Sequence, residues 1–424
     1  MSAFMRPPVR GANLLLASWI LTLAVSGCAS APASPAAGTS GTPSATAAAS
    51  PSAVASATPS PIPSPSSKPA AVFSTTGSIA VERQDGAAAT LLADGRVLVT
   101  GGVSQTQALS SAEIYDPTTG VWTQTGSMLS GHADHTSILL KDGRVLVVAG
   151  CDAHTTAELY DPASGKFSAA GKVAVDSTCE STATLLADGR VLIAGGYGAS
   201  YSVSKLAELF DPATGKFTRT GSLHTARGEA QAVLLPDGRV LISGGQAGGT
   251  TNEVILNSSE TYDPATGKFS EAAKMATPRT DFSATLLTDG KVLVAGGVDV
   301  KGESGTELVA SAELYDPASG KFSPTGSMTI ARFAAGGISV ANGLQFMHTS
   351  LLADGRVLFV GGDEQAQGST VYQPTAEIYD PATGLFSATA ALPVSDIGND
   401  SSSSVTLKDG RVLIPGIPSL LYTP

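Results

Sequence analysis

One hydropathic phrase recurs along most of this chain: a short apolar run, a polar turn, a second apolar run and a pair of glycines. The fullest copy begins Ala183-Thr184-Leu185-Leu186, turns at Asp188-Gly189 and continues Val191-Leu192-Ile193-Ala194-Gly195-Gly196. It then adds Ala207-Glu208-Leu209-Phe210-Asp211-Pro212. The runs are short, Leu-rich and β-branched, and turn residues bound them, so each predicts a buried strand. In the first copy Ala89–Leu92 and Arg96–Val99 flank Asp94-Gly95, a dipeptide that supplies the positive φ of a tight hairpin. A third strand, Ala112–Tyr115, ends at Asp116-Pro117-Thr118-Thr119-Gly120, where Pro presets φ and Gly takes the left-handed position. Val121–Gln124 begins a fourth strand, and its aromatic returns as Phe167, Phe217, Phe269, Phe322 and Phe386. No amphipathic helix of useful length follows residue 70.

The Asp-Gly turns fall at Asp94, Asp142, Asp188, Asp237, Asp289, Asp354 and Asp409, a period of about 46 to 65 residues. Four short strands at that period predict an all-β, seven-bladed β-propeller with four antiparallel strands per blade. The last unit ends in Ser419–Pro424, a degraded third strand with no fourth behind it. Phe73-Ser74-Thr75-Thr76-Gly77-Ser78 matches Phe322-Ser323-Pro324-Thr325-Gly326-Ser327. The N-terminal segment is therefore expected to enter the last blade and close the ring, covering an open edge.

The Gly-Gly doublet, the Tyr-Asp-Pro turn, the fourth-strand aromatic and Gly126-Ser127-Met128, repeated as Gly326-Ser327-Met328, resemble bacterial kelch repeats over roughly residues 73–424. There are departures. Six repeats carry Phe where the family usually has Trp, Gly150-Cys151 replaces one doublet, and the last repeat keeps only Gly416. The resemblance implies a kelch-type propeller, the architecture of the galactose oxidase central domain and of periplasmic sialic-acid mutarotases. A copper-radical oxidase needs a Tyr crosslinked to Cys, a second Tyr and two His; this chain has no Tyr-His dipeptide. No metal or cofactor is expected.

Ahead of the propeller, Arg6 and Arg10 lead into the apolar run Leu14–Val25. It is too short to span a bilayer and suits the core of an export signal. Val25-Ser26-Gly27-Cys28 resembles a bacterial lipobox, which implies a signal peptide over 1–27 and lipidation of Cys28. Residues 28–70 are almost wholly Ala, Ser, Pro, Thr and Gly, with Lys68 the one charge, and are expected to form a disordered linker. Its reach as a coil is on the order of 35 Å. The propeller occupies 71–424. The chain is thus expected to be exported and anchored to the outer face of the bacterial cell membrane.

The formal charge of −11 becomes −13 without residues 1–27, and no element clusters Lys or Arg. Nucleic acid is therefore not an expected partner. With Cys28 lipidated, Cys151 and Cys179 remain as an even pair in an oxidising compartment and predict a disulfide.

Repetition separates scaffold from site. Glu113, Glu158, Glu208, Glu260, Glu313 and Glu377 recur in six units and are read as structural hydrogen-bond acceptors. The Asp-Gly and Asp-Pro turns are assigned to one face. The post-Gly-Gly and inter-blade loops are assigned to the other, with all five His and the long loops 246–257, 298–310, 333–347 and 363–374. Variable loops on a rigid scaffold are where binding usually resides. His132, His135 and His154, near Asp134, Asp152 and the two Cys, have the chemistry of metal ligands. They lack a short-spaced metal motif, and a disulfide beside surface His is the reading taken. Eight residues before the Asp-Gly turns stand Asp134, Glu180, Glu229 and Asp281, with Arg83, Arg227, Arg279 and Arg332 nearby. These are expected to ring the channel mouth, either as blade-to-blade ion pairs or as a ligand site. The binding-face candidates are Arg83, Arg227, Glu229, Arg279, Asp281 and Arg332.

No nucleophile triad, phosphate loop or metalloprotease helix is present. The reading is a monomeric, non-catalytic module that binds a protein or glycan through the loop face. The alternative is an exported sugar-processing enzyme of the kelch mutarotase type, using carboxylates and arginines at the mouth.

Overall fold

Each Asp-Gly dipeptide closes a hairpin as its chemistry requires. At the first, Leu92 N–H donates to Arg96 O at 2.8 Å, and Asp94 Oδ1 accepts the Arg96 N–H at 3.0 Å. Gly95 sits at φ 95°, open to glycine and strained for other residues. The Asp-Pro turns are equally regular: Gly120 N–H donates to Asp116 O at 2.8 Å, and Asp116 Oδ1 accepts from Thr118 N–H at 2.8 Å.

The computed structural model describes residues 71–424 apart from 84–85, 106, 149, 152–155, 174–176, 199–201, 249–252, 301–305, 334–346, 363–374 and 394–402. The predicted signal, Cys28, the linker, His154, Asp152, most of the 333–347 insertion and the 363–374 loop therefore lie outside the described residues.

Seven four-stranded antiparallel sheets form the ring. Blade 1 runs from the inside outwards as Ala87–Leu91, Val97–Gly101, Ala112–Asp116 and Val121–Gln124. The inner strands touch one another in sequence around the channel, and the last, Val405–Thr406, meets the first. The core lies between blades. The second strand of blade 2, Val145–Val148, is fully buried, and Leu146 and Val148 pack with Val191, Ile193 and Phe210 of blade 3. At roughly 25 cal/mol per Å² of buried apolar surface, such inter-blade seams supply the main drive to fold.

Closure is as expected. Val72–Thr75 is the outer strand of blade 7, in register Val72↔Thr423 through Thr75↔Leu420. A tyrosine–threonine bond repeats at the blade junctions. Tyr160 meets Thr125, Tyr262 meets Thr220 and Tyr379 meets Thr325, each at 2.8 Å. Tyr115 and Thr76 make the same 2.8 Å contact across the closure.

Candidate functional site

The connectors that carry the chain from one blade's outer strand to the next blade's inner strand are fixed by the repeated glutamates. Glu313, in the third strand of blade 5, accepts Ala276 N–H at 2.7 Å and Thr277 N–H at 3.2 Å from the incoming connector. Its Oε1 also takes Arg279 Nη2–H at 3.0 Å. Arg279 Nη1 then donates to Gly296 O and Ser311 O, at 2.8 and 2.9 Å. One guanidinium fork thus bolts connector, third strand and post-Gly-Gly loop together. The same arrangement holds for Arg83 with Glu113, Arg227 with Glu260, and Arg332 with Glu377, at 3.0–3.1 Å. Burial works to raise the Glu260 carboxyl, but the His224 and Thr225 N–H groups, the His224 ring and Arg227 outweigh it and hold its pKa below the usual range.

These arginines correct the sequence-based expectation. Arg83, Arg227, Arg279 and Arg332 do not ring the mouth as free forks, because each is at most 1% exposed and turned inward. A buried carboxylate is costly unless paired, and the nearest group able to neutralise it is the arginine on the connector it holds. The pairs join each blade to its own incoming connector, and so are not blade-to-blade bridges.

Two blades use other chemistry for the bolt. In blade 2 His132 takes the arginine's place, its Nε2 3.2 Å from Glu158 Oε1 and 3.0 Å from Ser130 Oγ. In blade 3 that register holds Thr178, and a disulfide between Cys151 and Cys179 ties the connector to the loop of blade 2, with Sγ–Sγ 1.98 Å. Among the described residues, the grouping with metal-ligand spacing is Cys151, Cys179 and Glu180, whose two sulfurs are in that bond. His132 is fully buried in its bolt. His135 is 7% exposed, with Nε2 2.8 Å from Thr100 Oγ1. His348, assigned from sequence to a loop, instead opens the inner strand His348–Leu351 and is 4% exposed.

The acids stand just ahead of the inner strands Thr136–Leu139, Thr182–Leu185, Gln231–Leu234 and Ser283–Leu286. Asp134, Glu180, Glu229 and Asp281 occupy one register in four successive blades, at φ 53°, 52°, 53° and 50°. Gly86 holds the same register in blade 1 at φ 65°. Left-handed backbone costs a non-glycine residue about 1 kcal/mol, so four acids are kept where glycine would be easier. Glu229 Oε2 accepts Thr280 Oγ1–H at 2.6 Å. Tyr197, which follows the doublet of blade 3, is buried beside them. Burial raises its phenol pKa, and the charges of Glu229, Glu180 and Asp281 raise it further. Burial and then the Glu229 charge raise the Glu253 carboxyl as well. Sequence reasoning passed over Tyr197, although a tyrosine after Gly-Gly in a single blade was a visible signal.

The connectors of blades 3 to 5 also pair with the post-doublet loops just before these acids. Ser177–Cys179 pairs with Tyr197–Gly198, Gly228 bridges Gln246, and Thr280 bridges Val298. The doublets permit this closeness: Gly245 N–H donates to Arg279 O at 2.9 Å, and a Cβ on Gly245 would stand 2.3 Å from Gly228 O.

A model of the kelch motif matches residues 87–129. A search of curated proteins by sequence returns no match. Among solved structures, the fold is similar to a fungal alcohol oxidase of the AA5 family in complex with copper. That likeness has TM-score 0.60 and 17% identity, over 81% of this chain and 75% of that one. It is also similar to YjhT, with TM-score 0.54 and 14% identity, over 74% of this chain and 99% of that one. Likeness at these identities speaks to the fold alone. The chain is a seven-bladed β-propeller carrying the kelch motif.

Proposed function

We propose that this protein is an exported, lipid-anchored propeller that binds a protein or glycan partner through its loop face, without catalysis. The observation that carries the reading is the run of Asp134, Glu180, Glu229 and Asp281, held in left-handed backbone at one register of four adjacent blades. Strain kept at a mouth while its repeat in blade 1 uses glycine points to a role for the side chains. Their chemistry suits a partner that offers hydrogen-bond donors, such as sugar hydroxyls or the cationic side chains of a protein. The sugar-enzyme alternative loses its arginines to the bolts.

Screening the purified protein against glycans and extracellular proteins should yield a ligand. Glu229→Gln and Asp281→Asn should each weaken it about tenfold or more, the usual consequence of removing one side of a buried charged hydrogen bond. Lys216→Ala and Lys268→Ala, beside the Asp-Pro turns, should leave affinity unchanged. A ligand that responds to the lysines and ignores the acids rules the reading out. Substituting the arginines is not a test of binding, since it unbolts the connectors. Anchoring is tested separately: Cys28→Ser should release the protein from the membrane fraction or leave its precursor uncleaved. Unchanged membrane association with an intact N-terminus points to a transmembrane anchor instead.

A further inference from the structure

The seven outer strands open on one equivalent position, opposite the residue that ends the third strand. In blades 2 to 5 it is lysine: Lys166, Lys216, Lys268 and Lys321. In blades 6, 7 and 1 it is Leu385, Val72 and Val121. These three are 61%, 51% and 50% exposed, and make up half of the six large apolar side chains exposed among the described residues. The remaining exposed positions of the same strands are uncharged: Ser387 and Ala388, Ser74 and Thr75, Thr123 and Gln124. Blades 3 and 4 instead add Arg219 and Glu271.

Blades 6, 7 and 1 are neighbours in the closed ring, so the uncharged positions form one sector of the rim. Its middle blade is the one whose outer strand, Val72–Thr75, is supplied from the N-terminal side. The chain that carries the apolar run Leu14–Val25 and Cys28 therefore joins the propeller at Val72 itself.

We infer that this sector rests on the lipid surface to which the N-terminus is anchored, so that the propeller docks by blades 6, 7 and 1. The inference builds on the lipid-anchoring reading above. Outer strands whose exposed side chains are aliphatic or uncharged match the boundary between headgroups and acyl chains, with Asp116 and Asp380 standing opposite Val121 and Leu385 at the ends of the third strands; anionic headgroups would call for a basic patch. Three half-exposed aliphatic residues are too few to hold a protein from solution. They act here because the tether keeps the surface at high effective concentration.

Trp122 is next to Val121 and, once residues 1–27 are removed with the signal peptide, is the sole tryptophan. The full lipidated chain is reconstituted into phosphatidylcholine vesicles with brominated acyl chains, and Trp122 fluorescence is read. Quenching is expected. Val72→Lys with Val121→Lys and Leu385→Lys should float with the vesicles as before yet lose the quenching. Lysine already stands at this position in four blades, so the variant is expected to fold, and an unchanged circular dichroism melt checks it. A Cys28→Ser chain added to the same vesicles should show no quenching. Floating without quenching, or equal quenching in the lysine variant, overturns docking and leaves anchoring intact. A chain that neither floats nor is quenched overturns both. A lysine variant that changes from dimer to monomer in detergent while quenching persists assigns the sector to a second copy of the chain, and also overturns the proposal.

Discussion

Deleting Phe73 to Ile79 is expected to abolish cooperative folding of the ring. Phe73 is 5% exposed and stacks on Tyr422 with ring centroids 4.8 Å apart, and Ile79 is 3% exposed in the seam between blades 7 and 1. Each large apolar side chain lost from such a site costs about 3 kcal/mol or more. The deletion also removes the ladder to Leu420–Thr423 and the Thr76–Tyr115 hydroxyl contact. It takes away Gly77 O as well, which accepts the Trp122 indole N–H at 3.1 Å. The total, on the order of 6 kcal/mol or more, is comparable to the whole stability of a typical domain. The exposed edge of Leu420–Thr423 would further favour aggregation. Thermal and urea unfolding of the truncated and intact chains measure the effect. Equal midpoints would show that blade 7 does not depend on this strand.

The blades were legible in the sequence because their determinants are local. Asp94-Gly95 and Asp116-Pro117 fix their own turns through bonds within five residues. The closure was legible because Phe73–Ser78 repeats Phe322–Ser327 almost letter for letter. The structural role of the repeated glutamates followed from counting them. The arginines misled for a physical reason. Their position near the mouth is set by the backbone, but their direction depends on a glutamate about 30 to 45 residues later, on another strand. Both partners were visible in the sequence; what joins them is tertiary. The left-handed acids carried a usable signal, since counting back eight from Asp94 reaches Gly86 where blades 2 to 5 have Asp or Glu. A glycine at the register of an acid is a hint of positive φ. The Cys151–Cys179 bond was legible as the even pair left after Cys28; that it lies beside Thr178, at the register of Arg227 and Arg279, emerges only when the blades are aligned.

Mild acid is expected to destabilise the propeller by about 4 kcal/mol between pH 8 and pH 5, through two buried histidines. Burial lowers the His135 pKa to about 3, helped by the nearby charges of His132 and Arg83. Burial alone lowers His348 to about 4. In the unfolded chain both titrate near 6.5. Above that value both states are neutral at these groups and their full contribution is present. Below it the unfolded chain takes up protons that the folded chain refuses, so stability falls as pH drops from about 6.5 towards 4. Each histidine contributes about 2 kcal/mol of loss at pH 5. The turn carboxylates act in a lower window: Asp116 and Asp142, held down by hydrogen bonds from Thr118 and Arg144, lose their contribution only as pH falls below the ordinary carboxylate range. Other blades supply the control residues. Phe282 stands at the register of His135 in blade 5, and Thr136 and Thr182 stand at that of His348. His135→Phe with His348→Thr should therefore remove most of the pH dependence of the urea midpoint between pH 8 and 5, whatever it does to stability at pH 8. An unchanged slope in the double variant would place the acid sensitivity elsewhere, and the first groups to examine would then be His132 and Glu158 in the bolt of blade 2.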